Sequence, residues 1–432
     1  MTERRSVDIH VPVLARVEGE GALELVVRDG RIEQLMLRIY EPPRLFEQFL
    51  VGRDYHEVPD MVARICGICP VAYQMSAVHA IEQAFGMEPG PWVRDMRRLY
   101  YCGEWLESHA LHIHMLAAPD FLGYPSVTAL AQDYPAEVRR GLRLQALGNA
   151  IVAALGARSV HPVGARVGGF SRAPTPAEVR ALLERLHEAL ADAEELVRWT
   201  ASLDLPASDQ EFTSVALHHP DEYPMNEGRL ISSAGLDIDI REFDQHFREH
   251  QVPHSTALHS HLHGQPYLVG PLARVNLNLD RLPPRVQDLL EATGLSWPSR
   301  NMFHSVVARA VEIYYGCVEA IRILERYRAP AAALLEPTPR AGVGFGCTEA
   351  PRGFLWHRYE LDDSGIVTDS RIVPPTSQNQ ARIEQDLKWA LEAGELDRDD
   401  QALRLLCETV IRNYDPCISC ATHFLDLRVH RG

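Results

Sequence analysis

Two Cys-x-x-Cys pairs stand at opposite ends of the chain, Cys66 and Cys69 near the start and Cys417 and Cys420 near the end. On a turn or at a helix end that spacing points both sulfurs into one space, where thiolates grip a soft metal ion. If the four act together, the fold has to bring its two ends into contact, and residues 1–432 form one cooperative domain. A zinc ribbon sets its two knuckles roughly 15–20 residues apart, far closer than these pairs. A site assembled from both termini forms late and is costly in loop entropy. That favours a catalytic metal held by a finished fold over the alternative, a structural zinc that staples folding.

The 432 residues are 46% hydrophobic and 24% charged, an ordinary composition for a globular protein. The formal charge of -16 argues against a nucleic-acid partner, because phosphate binding needs a basic surface to displace counterions. No apolar run is long enough to span a bilayer, and Met-Thr-Glu-Arg-Arg leads into no apolar signal segment. Eight cysteines are too few for a disulfide framework in a chain this size and suit a reducing compartment. The location expected is the cytoplasm.

Alternation of apolar and polar residues over 7–40, broken at Asp29-Gly30, predicts a small opening sheet. Mixed three- and four-residue apolar steps then predict helices over 61–85, 92–116, 137–155, 176–200, 284–292, 303–327, 382–394 and 399–414. Residues 342–365 read as a hairpin, 372–379 as an extended loop, and 201–270 as an irregular, partly β insertion. The fold class expected is α+β, mainly helical, with a helical core and small peripheral sheets. Within the insertion, His259, His261 and His263 alternate as strand-face ligands would. No carboxylate or cysteine stands near them at matching spacing, so a second metal there is the lesser reading and the run reads as a polar surface or interface segment. The single cysteines Cys102, Cys317, Cys347 and Cys407 have unrelated spacings and read as apolar filler that cannot build an iron-sulfur cluster.

Taken together, Arg64-Ile-Cys-Gly-Ile-Cys69 and Asp415-Pro-Cys-Ile-Ser-Cys-Ala-Thr-His423 resemble the large, catalytic subunit of nickel-iron hydrogenases. The resemblance runs in order through Arg16-Val-Glu-Gly19, Phe46-Glu47, Ser108-His109-Ala-Leu-His112, His161-Pro162, Glu349-Ala-Pro-Arg-Gly353 and Val373-Pro-Pro-Thr376. Its wording is most similar to the cytoplasmic NAD(P)-linked group. A related but metal-free subunit of a respiratory complex is the rival within that ancestry, and the four intact cysteines argue against it.

The resemblance implies a nickel held by Cys66, Cys69, Cys417 and Cys420, two of which bridge to an iron carrying carbon monoxide and cyanide. The reaction implied is reversible heterolytic oxidation of dihydrogen. It also implies Glu18 as first proton relay beside Cys417, and Arg352 over the open metal site. Pro351, Pro375 and Thr376 would line the diatomic ligands, and Glu47 with His423 would bind a separate magnesium or iron ion. Electrons would leave through a small subunit carrying iron-sulfur clusters, then through flavin- and NAD(P)-binding diaphorase subunits, since this chain has no Gly-x-Gly-x-x-Gly after a strand. A maturation endopeptidase would remove residues 424–432 after His423 once nickel is loaded. Two positions depart from the family pattern. Tyr73 stands where relatives carry a histidine donor to the second cysteine, and Ser108 where the membrane-bound enzymes carry an aspartate.

Overall fold

The structure is a computed structural model and describes residues 6–393, 396 and 398–422. The chain opens with an antiparallel sheet, β1 (Val7–Val11), β2 (Gly21–Arg28) and β3 (Arg31–Ile39), in the order 1-2-3. Four long helices follow: α1 (Pro70–Phe85), α2 (Pro91–Leu111), α3 (Pro135–Gly156) and α4 (Pro176–Ala201). Residues 201–270 hold a small three-stranded sheet over 215–238 and the hairpin β4 (Phe247–Gln251) and β5 (Leu258–Leu262). Then come α5 (Ser305–Glu325), the sheet β6 (Gly342–Ala350), β7 (Gly353–Leu361) and β8 (Val367–Val373), and helices α6 (Pro375–Glu392), α7 (Asp400–Asn413) and α8 (Ile418–Ala421). This is the mainly helical α+β fold with small sheets that the sequence predicts.

Five of the long helices, α1 to α4 and α6, start with proline in the first turn. A proline there costs no hydrogen bond, because the first amides of a helix have no intrahelical partner, and its fixed φ suits the helix. The same rule corrects two boundaries. Residues 61–85 are not one helix: a short helix ends at Val62, and α1 begins only at Pro70, leaving both cysteines of the first pair in the turn before it. The stretch 372–379 is not an extended loop, since β8 ends at Val373 and α6 begins at Pro375. Of the two successive prolines, Pro374 is extended and Pro375 starts the helix.

Helices α2, α3 and α5 pack together, with α4 on α5, and α2 is buried on every face from Met96 to Ala110. Helix α1 lies instead against β6 and β7. The contact with β6 is close because glycines replace side chains: a Cβ on Gly346 would stand 2.0 Å from Ser76 O. Gly346→Ala is therefore expected to destabilise the protein by about 1–3 kcal/mol through overpacking. Gly90→Ala, where a Cβ meets nothing within 4 Å, should cost less, within about 1 kcal/mol, because there alanine only replaces the glycine cap of α2. Chemical denaturation of the two variants side by side checks the pair.

The ends are tied by charge. Asp120, just after α2, accepts from Arg412 Nε at 2.7 Å and Nη2 at 3.0 Å, and it also pairs with Arg16 of the β1–β2 loop. One carboxylate thus clamps the start of the chain to its last long helix.

Candidate metal centre

The first cysteine pair sits where a tight turn meets α1, with Cys69 as the residue before Pro70. Cys66 Sγ accepts from the amides of Ile68 and Cys69, both at 3.3 Å. Glu104 of α2 braces the same corner by accepting from Val71 N at 2.6 Å and Ala72 N at 3.1 Å, which uses two amides that the start of a helix leaves unpaired. His161 donates from Nδ1 to Ala63 O at 2.8 Å, so the glycine-rich loop after α3 supports the turn from outside.

The second pair arrives beside the first. Cys66 Sγ lies 3.4 Å from Cys417 Sγ, Cys69 Sγ lies 3.6 Å from Cys420 Sγ, and Cys417 and Cys420 are 2.8 Å apart. All eight cysteines of the chain are buried thiols and none is in a disulfide. The four sulfurs lie within 4.8 Å of one another, the span of ligands around one ion, since two sulfurs opposite each other at Zn–S-like distances would be about 4.6 Å apart. Burial, together with hydrogen bonds that Cys417 donates to Cys420, Cys66 and Cys69, pushes the Cys417 thiol well above its usual range. Four buried thiols sharing protons form a donor set that a soft cation suits, because binding replaces those protons with charge.

Glu18 reaches this cluster through the β1–β2 loop. Its backbone pairs with Cys417 in a parallel bridge, with Ile418 N donating to Glu18 O at 2.9 Å. Its carboxylate Oε2 accepts from Cys417 Sγ at 3.1 Å and from Ser419 N at 3.0 Å. Gly19 permits the approach: its φ is +88°, and a Cβ there would stand 2.6 Å from Ile418 Cβ.

Arg352 lies in the two-residue turn between β6 and β7 and points inward. Its Nε donates to Asp415 O at 2.7 Å and its Nη2 to Asp415 Oδ1 at 3.0 Å. Burial opposes the charge on Asp415, but Arg352, His112 and Arg309 outweigh it and hold that carboxyl below its usual range. Arg352 Nη1 is buried without a partner among the described residues, and the guanidinium lies in the field of Cys417, Cys69 and Cys66. An orphaned cationic donor facing thiols fits an anionic ligand on a metal held there. Pro351 shares the Arg352 turn. Pro375 and Thr376 form the first turn of α6, where Thr376 Oγ1 accepts from Cys417 N at 3.1 Å. That bond leaves the hydroxyl proton to donate elsewhere.

Glu47 stands apart, near β8. Its Oε1 accepts from Ile372 N at 2.6 Å, and burial pushes its carboxyl up to about 7. Its expected partner His423, like the tail 424–432, lies outside the described residues. Tyr73, at one of the two departures, is buried, and burial with Cys420 and Cys69 nearby pushes its phenol well up. Ser108 is buried with its hydroxyl unpartnered among the described residues.

The buried charges behind the cluster carried no expectation. Glu107 is pushed up to about 8 by burial and then by Cys66. Arg274 bonds Glu312 through Nε at 2.6 Å and Glu349 through Nη1 at 2.5 Å, while His109 meets Glu312 at 2.9 Å. The available signal was Glu104 and Glu107 standing three apart in the largely apolar stretch 99–107, since charges inside an all-buried helix need partners.

A family model described as nickel-dependent hydrogenase matches residues 44–140 and 249–423. The chain is 33% identical to the alpha subunit of sulfhydrogenase 1 of Pyrococcus furiosus, covering 97% of this chain and 100% of that one. It is 27% identical to the beta subunit of the NAD-reducing hydrogenase HoxS of Cupriavidus necator, covering 95% and 94%. Among solved structures it is similar to an NAD+-reducing [NiFe]-hydrogenase in the H2-reduced state, with a TM-score of 0.87, 29% identity, and coverage of 96% of this chain and 99% of that one.

Proposed function

This chain belongs to the nickel-dependent hydrogenase family as a large subunit, and on that premise we propose that it oxidises dihydrogen reversibly and passes the electrons through a small iron-sulfur subunit to NAD(P). The observation that carries the reading is the convergence of four buried thiols, a carboxylate and a guanidinium on Cys417. When bound, a nickel-iron centre supplies the Lewis-acid and redox chemistry for splitting dihydrogen. Cys66, Cys69, Cys417 and Cys420 would hold it, with carbon monoxide and cyanide on the iron.

Around it, the chain's own groups divide the work. Cys417 Sγ takes the proton and hands it across 3.1 Å to Glu18 Oε2, a separation within which proton transfer needs no intervening water. Arg352, held by Asp415, keeps a fixed positive charge over the site. Its spare Nη1 and the Thr376 hydroxyl offer donors to cyanide, and Pro351 and Pro375 keep the surroundings apolar. Glu47 and His423 would bind a magnesium or iron ion that ties down the end of the chain.

The assembly proposed is cytoplasmic, with a small subunit and with flavin- and NAD(P)-binding diaphorase subunits. No helix among the described residues is long and apolar enough to cross a membrane. We further propose one domain over the chain, shortened by a maturation endopeptidase that removes 424–432. Infrared spectroscopy of the active complex tests the centre: carbon monoxide and cyanide stretches with near-equal nickel and iron are expected, and active enzyme without those bands overturns the reading. Dihydrogen-dependent reduction of NAD or NADP by the same preparation tests the electron acceptor.

A further inference from the structure

The histidine run of the insertion departs from its sequence reading. His259, expected on a polar surface, is 3% exposed, and its Nε2 has no hydrogen-bond partner among the described residues. The missing carboxylate comes from elsewhere in the chain: Glu384 of α6 meets His254 Nε2 through Oε1 at 2.8 Å. His254, in the β4–β5 turn, and His259, on β5, stand edge to face with ring centroids 5.8 Å apart. One ligand atom from each of His254, His259 and Glu384 lies within 4.8 Å of the other two.

From this cluster we infer that His254, His259 and Glu384 form a second metal site, for a divalent ion of zinc's class. Two imidazoles and a carboxylate are the donors such an ion takes, at roughly 2.0–2.2 Å each. Ligand atoms on a tetrahedral ion at that range stand about 3.3 Å apart. His254 and Glu384 are already closer than this, and His259 has only a short distance to move.

The supporting detail agrees. Leu37 N donates to Glu384 Oε1 at 2.9 Å, fixing the carboxylate as metal ligands are commonly fixed by an outer hydrogen bond. No described group bonds Oε2, so the second carboxylate oxygen is open to the ion as well. His254 and Glu384 are each 20% exposed, which gives an ion access.

The site is separate from the four thiols. Glu384 is eight residues beyond Thr376 along α6, about 12 Å at 1.5 Å per residue. An ion here joins the β4–β5 hairpin to the helix whose first turn holds Cys417, with β3 alongside.

Zinc titration of the purified holoenzyme against a chelating dye tests the inference, with X-ray absorption at the zinc edge. One tight zinc per chain with only nitrogen and oxygen neighbours is expected. His259→Ala and Glu384→Gln should each weaken it at least about 10-fold, since loss of an outer partner alone costs that much, while dihydrogen turnover stays at the parent level. If His259→Ala does not fold, Glu384→Gln at the partly exposed carboxylate decides. Absence of tight zinc, sulfur in its shell, or parent affinity in the variants overturns the site.

Discussion

Cys417→Ser is expected to lose dihydrogen turnover by at least about 100-fold, because removing an outer partner of a ligand already costs about 10–100-fold and a ligand counts for more. Nickel content should fall with it. A serine hydroxyl is neutral near pH 7 and hard where nickel prefers a soft thiolate. It also removes the sulfur that stands 3.4 Å from Cys66, 2.8 Å from Cys420 and 3.1 Å from Glu18. Stability should change little, since serine nearly matches cysteine in size and the backbone pairing of Cys417 with Glu18 does not involve the side chain. Metal analysis with an activity assay decides it: a variant with parent nickel and parent turnover removes Cys417 from the ligand set.

Glu18→Gln should behave differently. The amide has the carboxylate's shape, its oxygen can accept from Ser419 N, and its NH2 can face Cys417 Sγ, so the β1–β2 loop keeps its place and both metals should remain. What is lost is the ability to take and release a proton. Positioned acid-base groups contribute about 100- to 10,000-fold, so hydrogen-deuterium exchange should drop by about 100-fold or more at unchanged nickel and iron. Glu18→Asp, which keeps the charge but shortens the reach, should fall between the two. Exchange at the parent rate in Glu18→Gln would move the proton route to another group, and the buried Glu107, pushed up to about 8 beside Cys66, would be the next to replace.

The two variants separate the roles that share one corner of the molecule. Cys417→Ser removes metal and turnover together, whereas Glu18→Gln removes turnover from a loaded centre. Gly346→Ala acts on neither directly. It moves α1 and is read as stability.

The sequence by itself determined the parts whose physics is local. A Cys-x-x-Cys spacing brings two sulfurs together wherever a turn meets a helix, and the helix expected from Pro176 begins there as α4. Proline also misled where two stood together, because Pro374-Pro375 reads as loop until the second starts a helix. The four thiols could be named as one site from spacing and resemblance, but the distance of Glu18 from Cys417 could not. It depends on a loop carried by Gly19 and on a single backbone bridge between Glu18 and Cys417, two positions nearly the whole chain apart. The cap that Glu104 places on α1, the clamp of Asp120 on Arg16 and Arg412, and the meeting of Glu384 with His254 and His259 have the same character. Each joins groups whose separation along the chain carries no information about their separation in space, so packing of the helices against the sheets decided them.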